Sequence, residues 1–509
     1  MKRILALLLA LMLVISCFAF SGCGEEKKDD GKKKDKEEQK KDDDNGNYDD
    51  APDIDIGDII DTTATLDIPD DVKFEGETIT VFAPDPYGPG YFYKESLNDT
   101  PVNDAVYNRN LSVLDKLGLT VNAISLDTNA GSQAEKFDEE VIAGSHSFDF
   151  AAVHSTSACA SLLMKGDIMP FENLEYVDFK KPWWNTGLNE TCAIMDENYF
   201  ALSSMCYGYY NNTSCMLFNK DLAEEAKLPD LYELVRKGEW TVDKVIEITK
   251  NFSEDLDGDG LFTDQDKIAI ISDDYAYMNF WLGACRQSTV ELGEEDRPEI
   301  VAGSTRMETV ISRLRDLFNT GKRGVIYSMQ DRIDGDDEWR RAFVEGRVLF
   351  NICIVGNAVS MRDSDINFGI LPLPKLNKDQ ERYGSWVDPW GLVLCIPSNC
   401  EDTEKVGAAL EAMSYYSYQL VYPAVLEQSI YGTGTRDTES IEMLQTIYDN
   451  MFFDFGFVFD SSGTGYGDII RSLVPNKNKE MGSYIAGKKN EVETHFDDLY
   501  EKVLENYGA

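Results

Sequence analysis

Segments with strand and helix patterns alternate from Thr78 onward, and this alternation is the feature that most constrains the fold. Residues 78–84 alternate like a strand that ends at Pro84, and strand patterns return at 119–124 and 148–153. Between the first two strands, the apolar positions of 102–117 fall on one helical face. A repeated strand–helix order implies a largely parallel sheet covered on both faces. The sequence therefore predicts an α/β fold.

The N-terminus has the pattern of an export signal. Lys2 and Arg3 precede an apolar run over 4–15, which is too short to span a bilayer comfortably. Phe20-Ser21-Gly22-Cys23 resembles the lipobox of bacterial lipoproteins. The resemblance implies a signal peptide at 1–22, a diacylglyceryl group and palmitate on Cys23, and anchoring to the cell membrane on its extracellular side. The alternative is a plain secretory signal with an incidental cysteine.

Charge and composition restrict the partners of the chain. Residues 24–50 are almost entirely polar or charged, and we predict that 23–68 form a disordered acidic and lysine-rich tether. The net charge of −44 disfavours binding to nucleic acid and to anionic lipid headgroups. Beyond Cys17 and Cys23, eight of the ten cysteines remain. They are either disulfide-bonded, as an exported protein permits, or small buried hydrophobic residues.

Several segments carry a family resemblance. CMLFNKDLAEEAKLPD (215–230) followed by GEWTVDKVIEITK (238–250) resembles a pattern of extracellular solute-binding proteins of ABC importers, the carbohydrate-type, maltodextrin-binding-like class. AFVEGRVLFNICIVGNAV (342–359) and INFGILPLPK (366–375) resemble later segments of that class, although Trp240-Thr241 is reversed and Leu349-Phe350 replaces Ala-Met.

The resemblance implies a two-lobe fold of the type II periplasmic-binding-protein kind. Each lobe is expected to be a mixed sheet flanked by helices, and crossing hinge strands are expected to join the lobes. We assign 69–205 plus 340–380 to lobe 1, and 206–339 plus 381–509 to lobe 2. The implied function is a monomeric receptor that captures a carbohydrate between its lobes and delivers it to the permease subunits of an ABC transporter.

Residues 255–266, DLDGDGLFTDQD, have the spacing of a calcium-binding loop. The expected ligands are Asp255, Asp257, Asp259, the Leu261 carbonyl, Thr263 and Asp266. The residues that follow, 267–271, have a strand pattern, so the second helix of a calcium sensor is missing. We predict a structural Ca²⁺ site. The alternative is an acidic turn stabilised by its own Asx hydrogen bonds.

Aromatic residues are the candidate ligand-binding groups, because the C–H face of a sugar stacks on an aromatic ring. The candidates from aromatic segments are Trp183, Trp184, Tyr207, Tyr209, Trp281, Trp386 and Trp390, with Asp388 beside the last. Trp183 and Trp184 are adjacent in a segment taken as extended, so at most one is expected to face the ligand. His154 and Ser155 join the candidates because they end a predicted strand, where open α/β sheets bind ligands. For each aromatic residue the alternative is packing in the core.

Catalytic motifs are missing from the sequence. The three histidines have no metal-binding spacing, and neither G-x-S-x-G nor G-x-G-x-x-G occurs. We therefore predict that the chain is not an enzyme. The alternative function is a surface lipoprotein that processes or adheres to polysaccharide.

Overall fold

The computed structural model describes residues 60–273, 276–318, 324–327, 338–361, 364–432, 438–460 and 465–508. The predicted signal peptide, Cys23 and most of the predicted tether lie outside this range. The last tether residues are folded onto the body: Ile60 and Ile68 are each 4% exposed, and the Asp61 amide donates to the Tyr418 hydroxyl at 2.7 Å. The prediction of disorder is wrong for 60–68, because these residues include apolar side chains that the body buries.

The strands and helices are numbered in chain order. The strands are β1 (Thr78–Phe82), β2 (Thr120–Ile124), β3 (Phe150–Val153), β4 (Ile168–Met169), β5 (Trp184–Asn185), β6 (Leu202–Ser203), β7 (Ser214–Asn219), β8 (Ile268–Asp273), β9 (Val290–Leu292), β10 (Pro298–Ile300), β11 (Gly324–Tyr327), β12 (Val348–Ile354), β13 (Phe368–Leu371), β14 (Ser385–Trp386), β15 (Val393–Pro397) and β16 (Met451–Phe452). The helices are α1 (Pro89–Phe92), α2 (Pro101–Leu117), α3 (Gln133–Ala143), α4 (Ser155–Lys165), α5 (Asn189–Cys192), α6 (Gly208–Asn211), α7 (Lys220–Glu225), α8 (Leu231–Arg236), α9 (Val242–Thr249), α10 (Ala276–Ala284), α11 (Thr305–Phe318), α12 (Glu338–Val344), α13 (Val355–Ser360), α14 (Thr403–Tyr416), α15 (Tyr422–Gly432), α16 (Thr438–Tyr448), α17 (Phe455–Val458), α18 (Ile469–Leu473) and α19 (Met481–Tyr507), with a π-helix at Ser417–Val421 between α14 and α15.

Lobe 1 is built on a five-stranded sheet in the order β2-β1-β3-β15-β4. Strand β1 is parallel to β2 and β3, whereas β15 is antiparallel to β3 and β4. Helix α2 begins with Pro101 in its first turn and ends at Gly118, whose left-handed backbone (φ 73°) closes it. The predicted strand–helix–strand order of this region is confirmed.

Lobe 2 is built on a second five-stranded sheet, in the order β11-β8-β12-β7-β13. Strand β8 is parallel to β11 and β12, whereas β7 is antiparallel to β12 and β13. Every residue of β7 and β8 is buried, which explains why their apolar runs, 215–218 and 268–271, are continuous instead of alternating. The predicted α/β fold with a mixed sheet in each lobe is confirmed.

The sheets divide the chain differently from the predicted lobe boundaries. Strands β12 and β13, which fall in the range 340–380 assigned to lobe 1, belong to the sheet of lobe 2. Strand β15, assigned to lobe 2, belongs to the sheet of lobe 1. Local pattern identifies each of these segments as a strand, but pairing partners distant in sequence decide which sheet it joins.

Two segments cross between the lobes side by side. Ala201 and Leu394 exchange backbone hydrogen bonds of 3.0 and 2.8 Å, and at the other end the Asp388 amide donates to the Asn212 carbonyl at 2.9 Å. Thr213 and Val387 are antiparallel partners next to this bond. The crossing segments are therefore 201–213 and 387–394, and the predicted cleft segment 386–390 lies at the start of the second one.

Side-chain hydroxyls cap two of the described helices, and the described cysteines are mostly buried. Thr241 caps α9, with its hydroxyl accepting from the Lys244 amide at 3.2 Å. The hydroxyl of Ser304, the residue before α11, accepts from the Met307 amide in the same way. The eight cysteines in the described part of the chain form no disulfide with one another, and seven of them are buried. This favours their interpretation as small core residues.

Candidate functional site: an aromatic cluster at the lobe crossing

The carboxyl ends of β1 and β3 lie at the same edge of the lobe 1 sheet, because the two strands belong to one parallel set. The loop after β1 carries Tyr87 and Tyr91, and His154 directly follows β3. Gly208 lies in the first crossing segment and leaves room for the Tyr91 ring, since a β-carbon at this position would lie 2.5 Å from that ring. Lobe 1 therefore presents three rings to the crossing segments.

Trp390 is the centre of this arrangement. Its indole makes T-shaped contacts with His154 at 5.2 Å and with Tyr87 at 5.7 Å between ring centroids. Tyr87 is 60% exposed and Trp390 is half-buried, so the cluster opens to solvent at this point. An aromatic face held by two others is a surface on which a sugar ring can stack.

Asp388 provides a carboxylate beside Trp390. One of its oxygens accepts from the Trp390 amide at 3.2 Å, and the side chain is half-buried. Burial raises the pKa of Asp388, and the amide hydrogen bond opposes that rise. A partly desolvated acceptor next to an aromatic ring is suited to binding a hydroxyl group.

His154 is held neutral. Burial lowers its pKa to about 4, and its Nδ1 lies 3.4 Å from the Thr156 hydroxyl. A neutral imidazole can donate or accept a hydrogen bond but adds no charge. Ser155 begins α4 next to it and is buried.

A buried arginine holds the loop that carries Tyr87 and Tyr91. Arg109 is fully buried and donates to the carbonyls of Tyr91 and Phe92. Burial lowers the pKa of Arg109 to about 10. Tyr91 in turn packs edge-on against Tyr207 at 4.9 Å, and burial raises the pKa of Tyr91 to about 12. Because Arg109 bonds to main-chain carbonyls, it positions the loop without touching the cluster's open face.

The interlobe cluster, defined as Tyr87, Tyr91, His154, Asp388 and Trp390, thus contains three of the predicted site residues. Tyr207 packs against it through Tyr91. Sequence analysis missed Tyr87, Tyr91 and Arg109. The signal for the two tyrosines was a Tyr-Gly-Pro-Gly-Tyr segment just after the first strand, where ligands of α/β sheets bind.

Lobe 2 contacts the first crossing segment through the start of α13. A β-carbon on Gly356 would lie 3.2 Å from the Asn211 carbonyl in the first crossing segment. The next residue, Asn357, accepts from the Tyr277 hydroxyl at 2.8 Å. Asn357 is therefore next in sequence to this contact, and Tyr277 is its hydrogen-bond partner. Neither residue was predicted as a site residue from the sequence.

Two predicted site residues lie in the core instead. Trp281 is fully buried and packs edge-on against Phe318 at 6.1 Å. Trp386 is 3% exposed, packs against Phe457 at 4.7 Å and donates its amide to the Ser214 hydroxyl. Neither indole can reach a ligand in this structure, so for these two the packing alternative is the better interpretation.

Trp183 and Trp184 lie together, away from the interlobe cluster. Their indole N–H groups donate to the two oxygens of one carboxylate, Glu411, at 3.0 and 2.9 Å. The expectation that the two side chains diverge is wrong, because the chain turns here: the Trp184 amide donates to the Lys181 carbonyl at 3.2 Å. Both indoles, with Tyr209, line a separate cavity of about 340 Å³.

The predicted calcium loop has the expected backbone. Gly258 and Gly260 adopt left-handed conformations (φ 77° and 82°). Oxygens of Asp255, Asp257 and Asp259 lie within 4.8 Å of one another, close enough to share an ion.

Asp266, the predicted last ligand, differs from that trio. It is buried and accepts from the amides of Leu256 at 2.9 Å and Thr263 at 2.8 Å. Burial raises its pKa, but these hydrogen bonds outweigh that effect and the pKa is lowered. The residues after the loop form β8, as the sequence predicted.

None of the described helices has both the length and the apolar character needed to cross a bilayer.

Comparison with solved structures relates the fold to a class. A cyclo/maltodextrin-binding protein, solved with maltotetraose, aligns with a TM-score of 0.50 and 14% identity over 85% of this chain and 98% of its own. The galacto-N-biose-/lacto-N-biose I-binding protein of the ABC transporter from Bifidobacterium longum, solved with lacto-N-biose, aligns with a TM-score of 0.50 and 13% identity over 87% and 99%.

The chain therefore has the two-lobe α/β fold of solute-binding proteins, and at these identities the likeness shows the fold alone. No protein-family model and no characterised protein sequence matches the chain.

Proposed function

We propose that the protein is the lipid-anchored, extracellular substrate-binding subunit of an ABC transporter. It captures a carbohydrate at the interlobe cluster as a monomer and delivers it to the permease subunits. Cys23 carries the lipid and holds the protein at the membrane. The two-lobe fold, and solved structures of the same fold that bind maltotetraose and lacto-N-biose, support this proposal.

The observation that carries the proposal is the position of Trp390 and Asp388. They lie at the start of the segment that crosses from lobe 2 to lobe 1, beside two rings of the lobe 1 sheet edge. A half-open indole with a carboxylate next to it supplies the two interactions that a sugar requires, a stacking face and a hydrogen-bond acceptor.

The test is equilibrium binding of a saccharide panel to the parent chain, Trp390→Ala and Asp388→Ala. Each truncation is expected to weaken binding roughly tenfold, since losing a stacking or charge-assisted contact costs about 1.4 kcal/mol or more. Trp386→Phe is the matched control, because Trp386 is buried behind the same segment. Parent-like binding by both truncated variants would show that the ligand binds elsewhere.

The same experiment separates a receptor from a glycan-processing lipoprotein. A receptor binds one saccharide stoichiometrically, and chromatography recovers that saccharide unaltered. Cleavage of the bound saccharide during the incubation would favour the enzyme.

We also propose that 255–266 bind a structural Ca²⁺ through Asp255, Asp257, Asp259, the Leu261 carbonyl, Thr263 and Asp266. The convergence of three carboxylates around two left-handed glycines supports this proposal. The amide hydrogen bonds of Asp266 fit an orienting role for that residue as well as a contact with the ion.

A further inference from the structure

A cavity with five tyrosines in its lining lies apart from the interlobe cluster. Its volume is about 340 Å³. We call it the tyrosine cavity, after Tyr209, Tyr210, Tyr418, Tyr422 and Tyr448. None of the five residues of the interlobe cluster is part of this lining.

Five parts of the chain build the cavity. They are 182–190 around β5, α6 of the first crossing segment, Arg382, the π-helix with the start of α15, and 445–451 at the end of α16 and just after it. Strand β16, which starts at Met451, is parallel to β14, so this wall is tied to the chain just before the second crossing. The cavity is therefore built by tertiary structure rather than by one loop.

Aromatic contacts fix the tyrosine walls. Tyr210 stacks on Tyr422 at 4.6 Å with 16° between the ring planes, and it meets Tyr448 edge-on at 5.0 Å. Tyr418 lies nearly parallel to Tyr422 at 6.1 Å. Rings held by one another lose little conformational freedom when a ligand binds, so the cavity is preorganised.

The tryptophan wall is also fixed. Glu411 receives both indole N–H groups, which sets the orientations of Trp183 and Trp184. These indoles therefore offer ring surface to the cavity, while their N–H groups are engaged behind it.

The mouth of the cavity carries both signs of charge. Arg382 and Asp449 are exposed there, and Glu190 is exposed on the β5 side. A cationic ligand would meet the guanidinium and an anionic ligand would meet the carboxylates. A neutral ligand with many hydroxyl groups can instead donate to the carboxylates and accept from the guanidinium and the amides of Asn185 and Gln445.

We propose that the tyrosine cavity is a second ligand-binding site, for a neutral polyhydroxylated ring of monosaccharide size. Its volume is at the lower end of the roughly 300–1,000 Å³ of small-molecule pockets, which restricts it to one small ring. Its aromatic walls and uncharged polar groups match the apolar faces and hydroxyls of a pyranose or a cyclitol. This site is additional to the interlobe cluster and does not depend on the function proposed for that cluster.

The test is titration calorimetry of the full chain with D-glucose, D-galactose, D-mannose and myo-inositol as probes, followed by two near-isosteric variants. Tyr422→Phe removes a hydroxyl from the wall, and Asp449→Asn removes a charge from the mouth. Each is expected to weaken binding of the probe that binds the cavity about tenfold. Asp498→Asn, an exposed aspartate on α19, is the matched control and should bind as the parent does. Unchanged melting temperatures confirm that the variants are folded.

Trp390→Ala separates the two sites. Cavity binding should persist in that variant, whereas binding at the interlobe cluster should weaken. If no probe binds at millimolar concentration, or if Tyr422→Phe and Asp449→Asn both bind every probe as the parent does, the proposal is overturned. Choline serves as the cationic probe, and choline binding that exceeds that of all four neutral probes and depends on Asp449 would overturn the assigned ligand class.

Discussion

The position of an aromatic residue relative to the crossing segments decides whether its ring is buried in the core or open to a ligand. Trp386 and Trp390 are four positions apart in one segment, yet Trp386 is 3% exposed and Trp390 is half-buried. The sequence made both indoles candidates, because the C–H face of a sugar stacks on an aromatic ring. It could not distinguish the two indoles, since Trp386 is buried by Phe457, which is distant in sequence.

Asp388 should make ligand binding depend on pH. Burial raises the pKa of this carboxyl, while His154, with a pKa of about 4, stays neutral above that value. A charge-assisted hydrogen bond needs the ionised carboxylate, so affinity should fall as the pH drops through the raised pKa of Asp388. Asp388→Asn should bind more weakly and with little pH dependence, as measured by calorimetry from pH 4.5 to 8. The same pH profile in parent and variant would assign the effect to another group.

Glu411 should make stability depend on pH in the opposite sense from an ion-paired carboxylate. Burial raises its pKa from 4.5 to about 7, although both tryptophan indoles donate to it. Between these values Glu411 binds more protons in the folded state than in the unfolded state, so the contribution of this carboxyl to stability is fully present below a pH of about 4.5 and is lost as the pH rises towards 7. The free energy of unfolding of the parent minus that of Glu411→Gln should therefore fall across this window, as measured by urea unfolding at several pH values. A difference that stays constant with pH would contradict this prediction.

At the scale of strands and helices, an element could be predicted from the sequence where the pattern that forms it lies within one short segment. The patterns at 78–84, 119–124 and 267–271 correctly predicted β1, β2 and β8, because each pattern lies within one segment. Pairing across the sheets was not predictable in this way. Strands β12, β13 and β15 fall in ranges that were assigned to the wrong lobe, because their partners lie elsewhere in the chain.

The loop 255–266 should stabilise the fold when Ca²⁺ is bound. An ion that binds only the folded state adds about 2.7 kcal/mol at a hundredfold excess over Kd, which corresponds to a rise of several degrees in Tm. Chelator should therefore lower the Tm of the parent, and Asp257→Asn should reduce this effect. Asp379→Asn, in another exposed turn, is the control. Identical melting curves with and without chelator would mean that the loop is held by its own Asx hydrogen bonds.

At the scale of the whole molecule, the lipid proposed on Cys23 would hold the protein at the membrane. Two acyl chains hold a protein stably at a membrane, whereas one chain binds only marginally. Cys23→Ala should therefore release the protein into the medium, as measured by immunoblotting of cell and medium fractions. Cys17→Ala, within the predicted signal peptide, should leave anchoring intact. If Cys23→Ala remains bound to the membrane at the parent's level, Cys23 is not the lipid attachment site.

Closure of the two lobes on a ligand should be visible in tryptophan fluorescence, and mainly through one residue. Of the six tryptophans whose burial the structure describes, Trp183, Trp184, Trp240, Trp281 and Trp386 are at most 5% exposed, whereas Trp390 is half-buried at the crossing. Closure about a hinge excludes water from the cleft, so the ligand should shift Trp390 emission to shorter wavelength.

Trp390→Phe should keep a stacking surface and part of the affinity but lose most of this spectral shift. Trp240→Phe is the matched control, because Trp240 is fully buried in lobe 2 with its indole N–H bonded to the Pro372 carbonyl at 2.9 Å. A full shift in Trp390→Phe at saturating ligand would mean that closure changes the solvation of a different tryptophan, and that the moving surfaces are not those of the interlobe cluster.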